Sequence, residues 1–183
     1  MSLAELRLSP FGLFHTAIAL AAVLAGVVAL VRHGALAPRS RAGRLYVGLT
    51  ALAALTGLAI FRHGAFGKPH ALAVLTLLVL GLAALAGRGH LGRASAAIET
   101  VAYSATLFFH SIPGLAESLT RLPPGAPLFD DPEAPGLQRL AGLAFLLFLA
   151  GAWRQVRRLR RDARVSAVSA QEGVLAPPDS SAT

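Results

Sequence analysis

Six histidines, two tyrosines and no cysteine set the chemistry open to this 183-residue chain. Without thiolates there is no disulfide framework, no Cys-based zinc site, no iron–sulfur cluster and no c-type haem attachment. Imidazoles and carboxylates remain, and these can ligate Zn, Cu or Fe. Two facing imidazoles can hold a b-type haem inside a helix bundle, and a Glu–Tyr–His series can pass protons. His15, His70 and His110 stand near the same end of three apolar segments, which makes them the candidate metal or haem ligands. The competing reading is three separate histidines at home near a membrane interface. His33 and His90 fall in connections and read as solvated, and His63 falls in the connection after the second segment.

The fourth segment carries a polar stripe. At about 100° per residue, Glu99, Tyr103, Thr106, His110 and Glu117 share one helical face, provided the helix continues past Pro113. A single polar stripe on an apolar helix should face the bundle interior or a wet cavity. Pro113 also removes the backbone donor for the Phe109 carbonyl beside His110, leaving an oxygen open to water, a proton carrier or a metal. Alternatively, the stripe only hydrogen-bonds helices together. A two-haem arrangement is excluded: His15/His33 and His70/His90 are 18 and 20 residues apart. Helical rise turns that into about 27–30 Å, which puts the second histidine of each pair in a loop. The sequence holds no Gly-rich phosphate loop after a strand, no Ser/His/Asp order and no His-Glu-x-x-His motif.

The elements that must position these residues follow from composition. The chain is 55% hydrophobic and 14% charged, with a mean hydropathy of +0.61. A solvated globule carries about a quarter charged residues, and disorder needs low hydrophobicity. An all-α integral membrane helix bundle is expected, with five spans at residues 11–31, 45–61, 69–87, 94–112 and 136–153. Four spans is the alternative, with the last apolar run lying in the interface. Residues 1–10 form an N-terminal segment, 11–153 the bundle, and 154–183 a basic and then disordered tail. Residues 115–122 are amphipathic and either extend the fourth helix past Pro113 or lie in the interface. The first run reads as a retained helix rather than a signal peptide. Arg7 is offset by Glu5, and the Ala-x-Ala site at Ala35 to Ala37 follows Arg32 and His33 and is followed by Pro38, which disfavours cleavage.

Arginine and lysine set the orientation. Twelve of the 17 lie in the first loop, the third loop and the tail, which places that side in the cytoplasm and the N-terminus outside the cell membrane. Six arginines between Arg154 and Arg164 directly follow an apolar segment, which fits anionic lipid headgroups and not nucleic acid. Homo- or hetero-oligomers are both compatible with the pattern. Small residues at four-residue spacing, Ala22/Gly26 and Ala53/Gly57, fit close helix packing. An echo joins Val31-Arg-His-Gly-Ala-Leu36 to Phe61-Arg-His-Gly-Ala-Phe66. It reads as two helix ends leaving lipid, with Arg snorkelling and Gly as C-cap, and not as a duplicated ligand site.

His15, the loop Arg41-Ala-Gly-Arg-Leu-Tyr46 and the helix opening Phe66-Gly-Lys-Pro-His70 carry a resemblance. Over residues 11–87 the chain resembles a bacterial family of predicted membrane proteins catalogued as domain of unknown function twenty-three-zero-six. Many of its members have a histidine where Ser40 or Arg41 stands here. The resemblance implies a multi-helix membrane protein and brings no reaction with it.

The leading functional expectation is a multi-pass membrane protein with an outer-leaflet His/Glu site for metal or b-type haem binding or for proton-coupled transport. A non-enzymatic assembly or interaction protein, whose polar residues only pack helices, is the second. An enzyme acting on a lipid-soluble substrate such as a quinone is the third.

Overall fold

The computed structural model describes residues 9–61, 65–123 and 125–175, and local signals explain where each helix begins and ends. Helix α1 spans Pro10–His33. Ser9 caps it by accepting the Gly12 N–H, and Pro10 sits in the first turn, where a missing donor is harmless. Gly34 ends it at φ +67°, donating its N–H to the Leu30 carbonyl. Helix α2 is Arg41–Leu58, capped by Ser40 on the Gly43 N–H. Helix α3 is Lys68–Gly87, with Pro69 in its first turn. A short 3₁₀ turn, Gly92–Ala94, leads into α4, Ser95–Leu119, which runs straight through Pro113. Helix α5 is Pro135–Leu175.

The first four helices pack in sequence, α1 on α2, α2 on α3 and α3 on α4, and α4 touches α1 to close the ring. Helix α5 lies outside this ring along α4. Phe108 of α4 meets Phe145 and Phe148 of α5, while Ser104 bonds Gln155, so the two helices run antiparallel. An exposed ion pair, Lys68–Glu133, ties the start of α3 to the α4–α5 connection.

The packing is sorted by size and polarity. Inside are Ala22, Gly26, Ala29, Ala53, Ala73, Ala83 and Ala102, together with the hydroxyl residues Thr50, Thr76 and Thr106. Outside are the large apolar side chains: Leu24, Leu78 and Leu147 are 66–67% exposed, whereas Tyr46, Thr50 and Thr106 are 0% exposed. A water-soluble bundle does the reverse, because burying leucines is what holds it together. Small residues inside let backbones approach closely where lipid, not water, surrounds the bundle. Among the described residues, three helices, Pro10–His33, Lys68–Gly87 and Pro135–Ser169, are long and apolar enough to cross a membrane. Helices α2 and α4 are not in that group; they carry the polar residues described below.

Two expectations are corrected. The second helix begins at Arg41, four residues before the apolar run, because Ser40 supplies the cap. Of the two alternatives for residues 115–122, the structure has the first, α4 continuing past Pro113 to Leu119. The tail is not disordered from residue 166: α5 continues to Leu175. Extending a formed helix through good helix formers such as Arg, Ala and Gln costs little. Residues 1–8, 62–64, 124 and 176–183 lie outside the described residues. The N-terminal segment, His63, the centre of the second repeat and the end of the tail therefore fall there.

Candidate functional site

A line of polar side chains runs along the inside of the bundle, strung between α2 and α4 on its diagonal. Its first station is Glu99, whose side chain is 6% exposed. The carboxylate rests against Gly87 of α3, where an added Cβ would stand 2.7 Å from Oε1. Arg39 reaches over from the α1–α2 loop and donates from Nη2 to Oε2 at 2.6 Å. This loop can deliver Arg39 because it folds into the bundle end: Leu36 and Ala37 are buried, and the Ala37 carbonyl lies where a Gly43 Cβ would be. Glycine at 43 is thus a steric requirement of the loop.

One turn along α4, Tyr103 is buried beside the Glu99–Arg39 pair. Tyr46 of α2 crosses the bundle to meet this helix. Its ring packs on Gly26 of α1, where a Cβ would come within 2.8 Å. Its hydroxyl shares a 2.6 Å hydrogen bond with Thr106 Oγ1 and donates a longer one, 3.4 Å, to the Tyr103 carbonyl. Thr106 also donates to the Tyr103 carbonyl at 2.8 Å. Thr50 lies next to the Tyr46 hydroxyl and is 3.4 Å from His110 Nε2. His110 in turn lies within electrostatic range of His15 on α1. His15 Nδ1 and Thr56 Oγ1 are 2.9 Å apart, and the imidazole edge fits against Gly57.

Among the expected stripe residues, Glu99, Tyr103 and Thr106 are buried and His110 is partly buried, all facing the interior. Glu117 is a correction. It is exposed and pairs with Arg121 one turn on, so it belongs to the helix surface rather than the stripe.

The three-histidine ligand set is also corrected. His15, His70 and His110 do sit at one end of the bundle, but only His15 and His110 come together. Nδ1 of His70 accepts the Gly67 N–H at 3.2 Å at the start of its own helix, and the ring lies between Phe61 and Phe66, with Nε2 buried and meeting no hydrogen-bond partner among the described residues. Among the described residues, no three His, Asp or Glu side chains gather to hold a metal ion. His33 and His90 are exposed, as expected of connections.

The sequence reading missed Arg39, Thr50 and Thr56, and met Tyr46 only inside a motif. A signal existed for α2. Tyr46, Thr50, Ala53 and Gly57 are spaced four, three and four apart, which puts them within about 60° on one helical face. Arg39 gave none, because it depends on how a loop folds back.

No family model, no curated protein and no solved structure matches this chain.

Proposed function

We propose that this chain is a multi-pass membrane protein whose α2–α4 polar line relays protons through the bilayer, in the service of proton-coupled transport. The observation that carries the proposal is a chain of polar side chains inside the bundle. Tyr46, Thr106, Thr50 and His110 follow one another within hydrogen-bond reach, with Glu99 and Tyr103 at electrostatic range beyond one end and His15 beyond the other. Ionisable groups in such a setting are costly and mark proton or ion pathways. In this reading all five helices span, with α2 and α4 shielded from lipid by their neighbours. The arginine-rich end, which includes Arg39 and Arg154, is cytoplasmic, and His15 lies towards the outside. The likeness of residues 11–87 to the family of domain of unknown function twenty-three-zero-six enters only as a proposal of shared architecture.

The test is proton flux into vesicles loaded with a pH-sensitive dye, driven by a potassium diffusion potential. Wild type should acidify the lumen faster than protein-free vesicles do. Tyr46→Phe, which keeps the ring on Gly26 and removes the hydroxyl, should lower the flux about tenfold. Flux equal to that of empty vesicles would overturn the relay, and full flux in Tyr46→Phe would remove this line as its route.

A second reading has its own support. The 2.6 Å Tyr46–Thr106 and Arg39–Glu99 bonds satisfy their partners within the bundle, as residues that only hold helices together would. On that reading the protein is an assembly or interaction protein, and Tyr46→Phe lowers thermal stability while wild type conducts nothing.

A further inference from the structure

A cavity lies away from the polar line, on the side where α5 leaves α4. It is a groove of about 920 Å³ between α4, α5 and the end of α1. This volume falls in the usual range for a small-molecule site. Its two ends differ in chemistry. One is apolar, lined by Leu107, Phe108, Leu147 and Phe148. The other is lined by Arg154, Arg157, Arg158 and Arg161, with Asp162 as the one acid.

Three details fit these ends to one amphiphile. Arg157 lies over the Trp153 ring, 4.5 Å from its centroid, which holds the guanidinium at the level where tryptophans mark the headgroup layer. Gly151 stands where the apolar and basic parts meet and has nothing within 4 Å of an added Cβ, so the passage between them is open. The groove floor is already satisfied: Gln155 accepts from Ser104 at 2.8 Å and donates to the Gly34 carbonyl at 3.4 Å. From Phe148 to Arg161 the helix rises about 20 Å, room for a phosphate and much of an acyl chain.

We propose that this groove seats one anionic phospholipid, with its phosphate among the arginines and an acyl chain along Phe108 and Phe148. Four guanidiniums against one carboxylate make the mouth complementary to a phosphodiester, and arginine matches its geometry with paired donors. The apolar end selects a lipid over a free anion. The site rests on the bilayer reading above but uses none of the proton-line residues.

The test is lipid retention in native mass spectrometry of the full chain in dodecyl maltoside, with phosphatidylglycerol or phosphatidylcholine added at equal concentration. Wild type should retain phosphatidylglycerol about tenfold better. The double variant Arg157→Gln/Arg161→Gln should bring the two lipids level. Gly151→Leu, whose side chain enters open groove rather than protein, should reduce retention of both lipids with an unchanged circular dichroism spectrum. Equal retention of the two lipids by wild type would overturn the proposal, and so would a preference that survives both variants. Binding of inorganic phosphate alone, with displacement of phosphatidylglycerol by it, would assign the arginines to a free anion and overturn the lipid. Loss of proton flux with lipid preference intact would instead strike the relay and leave this site standing.

Discussion

Removing Arg39 tests whether the buried end of the polar line depends on a side chain that is itself mostly in solvent. The Glu99 side chain is 6% exposed and that of Arg39 is 69% exposed, with 2.6 Å between Oε2 and Nη2. A charge-assisted hydrogen bond contributes about 1.5–3 kcal/mol. Solvent around the guanidinium screens this one, which puts it at the low end, about 1.5 kcal/mol. Arg39→Ala should therefore destabilise the protein by about 1.5 kcal/mol, because it leaves a buried carboxylate without its cation. In a Glu99→Gln background there is no such charge to strand, and the same Arg39→Ala change should cost less than about 0.5 kcal/mol. The coupling energy, about 1 kcal/mol, is read from a double-mutant cycle of unfolding in mixed micelles. Because half of the pair is exposed, the coupling should also weaken in high salt. Additive single effects, with coupling within about 0.3 kcal/mol of zero, would refute the view that Arg39 holds Glu99.

Gly26→Ala places a Cβ 2.8 Å from the Tyr46 ring, which is fully enclosed, and should lower stability by about 1–3 kcal/mol; Gly48→Ala, which meets nothing within 4 Å, should not. Thermal melting of both in detergent checks this, and equal melting points would refute the tight seat assigned to Tyr46. Gln155→Leu removes the ties of α5 to Ser104 and the Gly34 carbonyl, worth about 0.6–1.7 kcal/mol together. Since the chain has no native cysteine, spin labels at Leu85 and Leu147 can report it. Their distance distribution should broaden, and an unchanged distribution would show that the Phe108–Phe148 contact alone positions α5.

Much of this was legible along the chain, and the parts that were not share one cause. Helix starts at Pro10 and Pro69 and the stop at Gly34 follow from residue types within one turn. The inward face of α4 was readable because four polar residues repeat at helical spacing on an apolar helix. Glu117 broke the pattern because a carboxylate near a helix end can turn to a cation four residues on, as it does to Arg121. His70 was misplaced for a similar reason. One of its two ring nitrogens, Nδ1, is taken by a backbone donor three residues earlier, a bond that helical spacing does not reveal. Composition marked residues 166–175 as disordered because it weighs polarity and not the helix already formed upstream. Arg39 needed tertiary knowledge outright, since Leu36 and Ala37 must first enter the core before the loop points it at Glu99.

The size sorting of the bundle explains how the middle of its polar line, Tyr46, Thr50, Thr106 and His110, comes to lie on the α2–α4 diagonal. Neighbours here meet through alanine and glycine, with Ala22, Gly26 and Ala29 of α1 buried on the inward side. Such interfaces bring backbones close and leave no room for a row of hydroxyls or rings. Across the diagonal, polar side chains reach from α2 to α4. Tyr46 does so by lying over Gly26 and reaching Thr106, and Thr50 by facing His110. The glycine that lets α1 approach α2 therefore also makes space for the ring that crosses to α4. Packing and polar line are one arrangement, so a methyl group at position 26 should disturb the Tyr46–Thr106 bond as well as the helix contact.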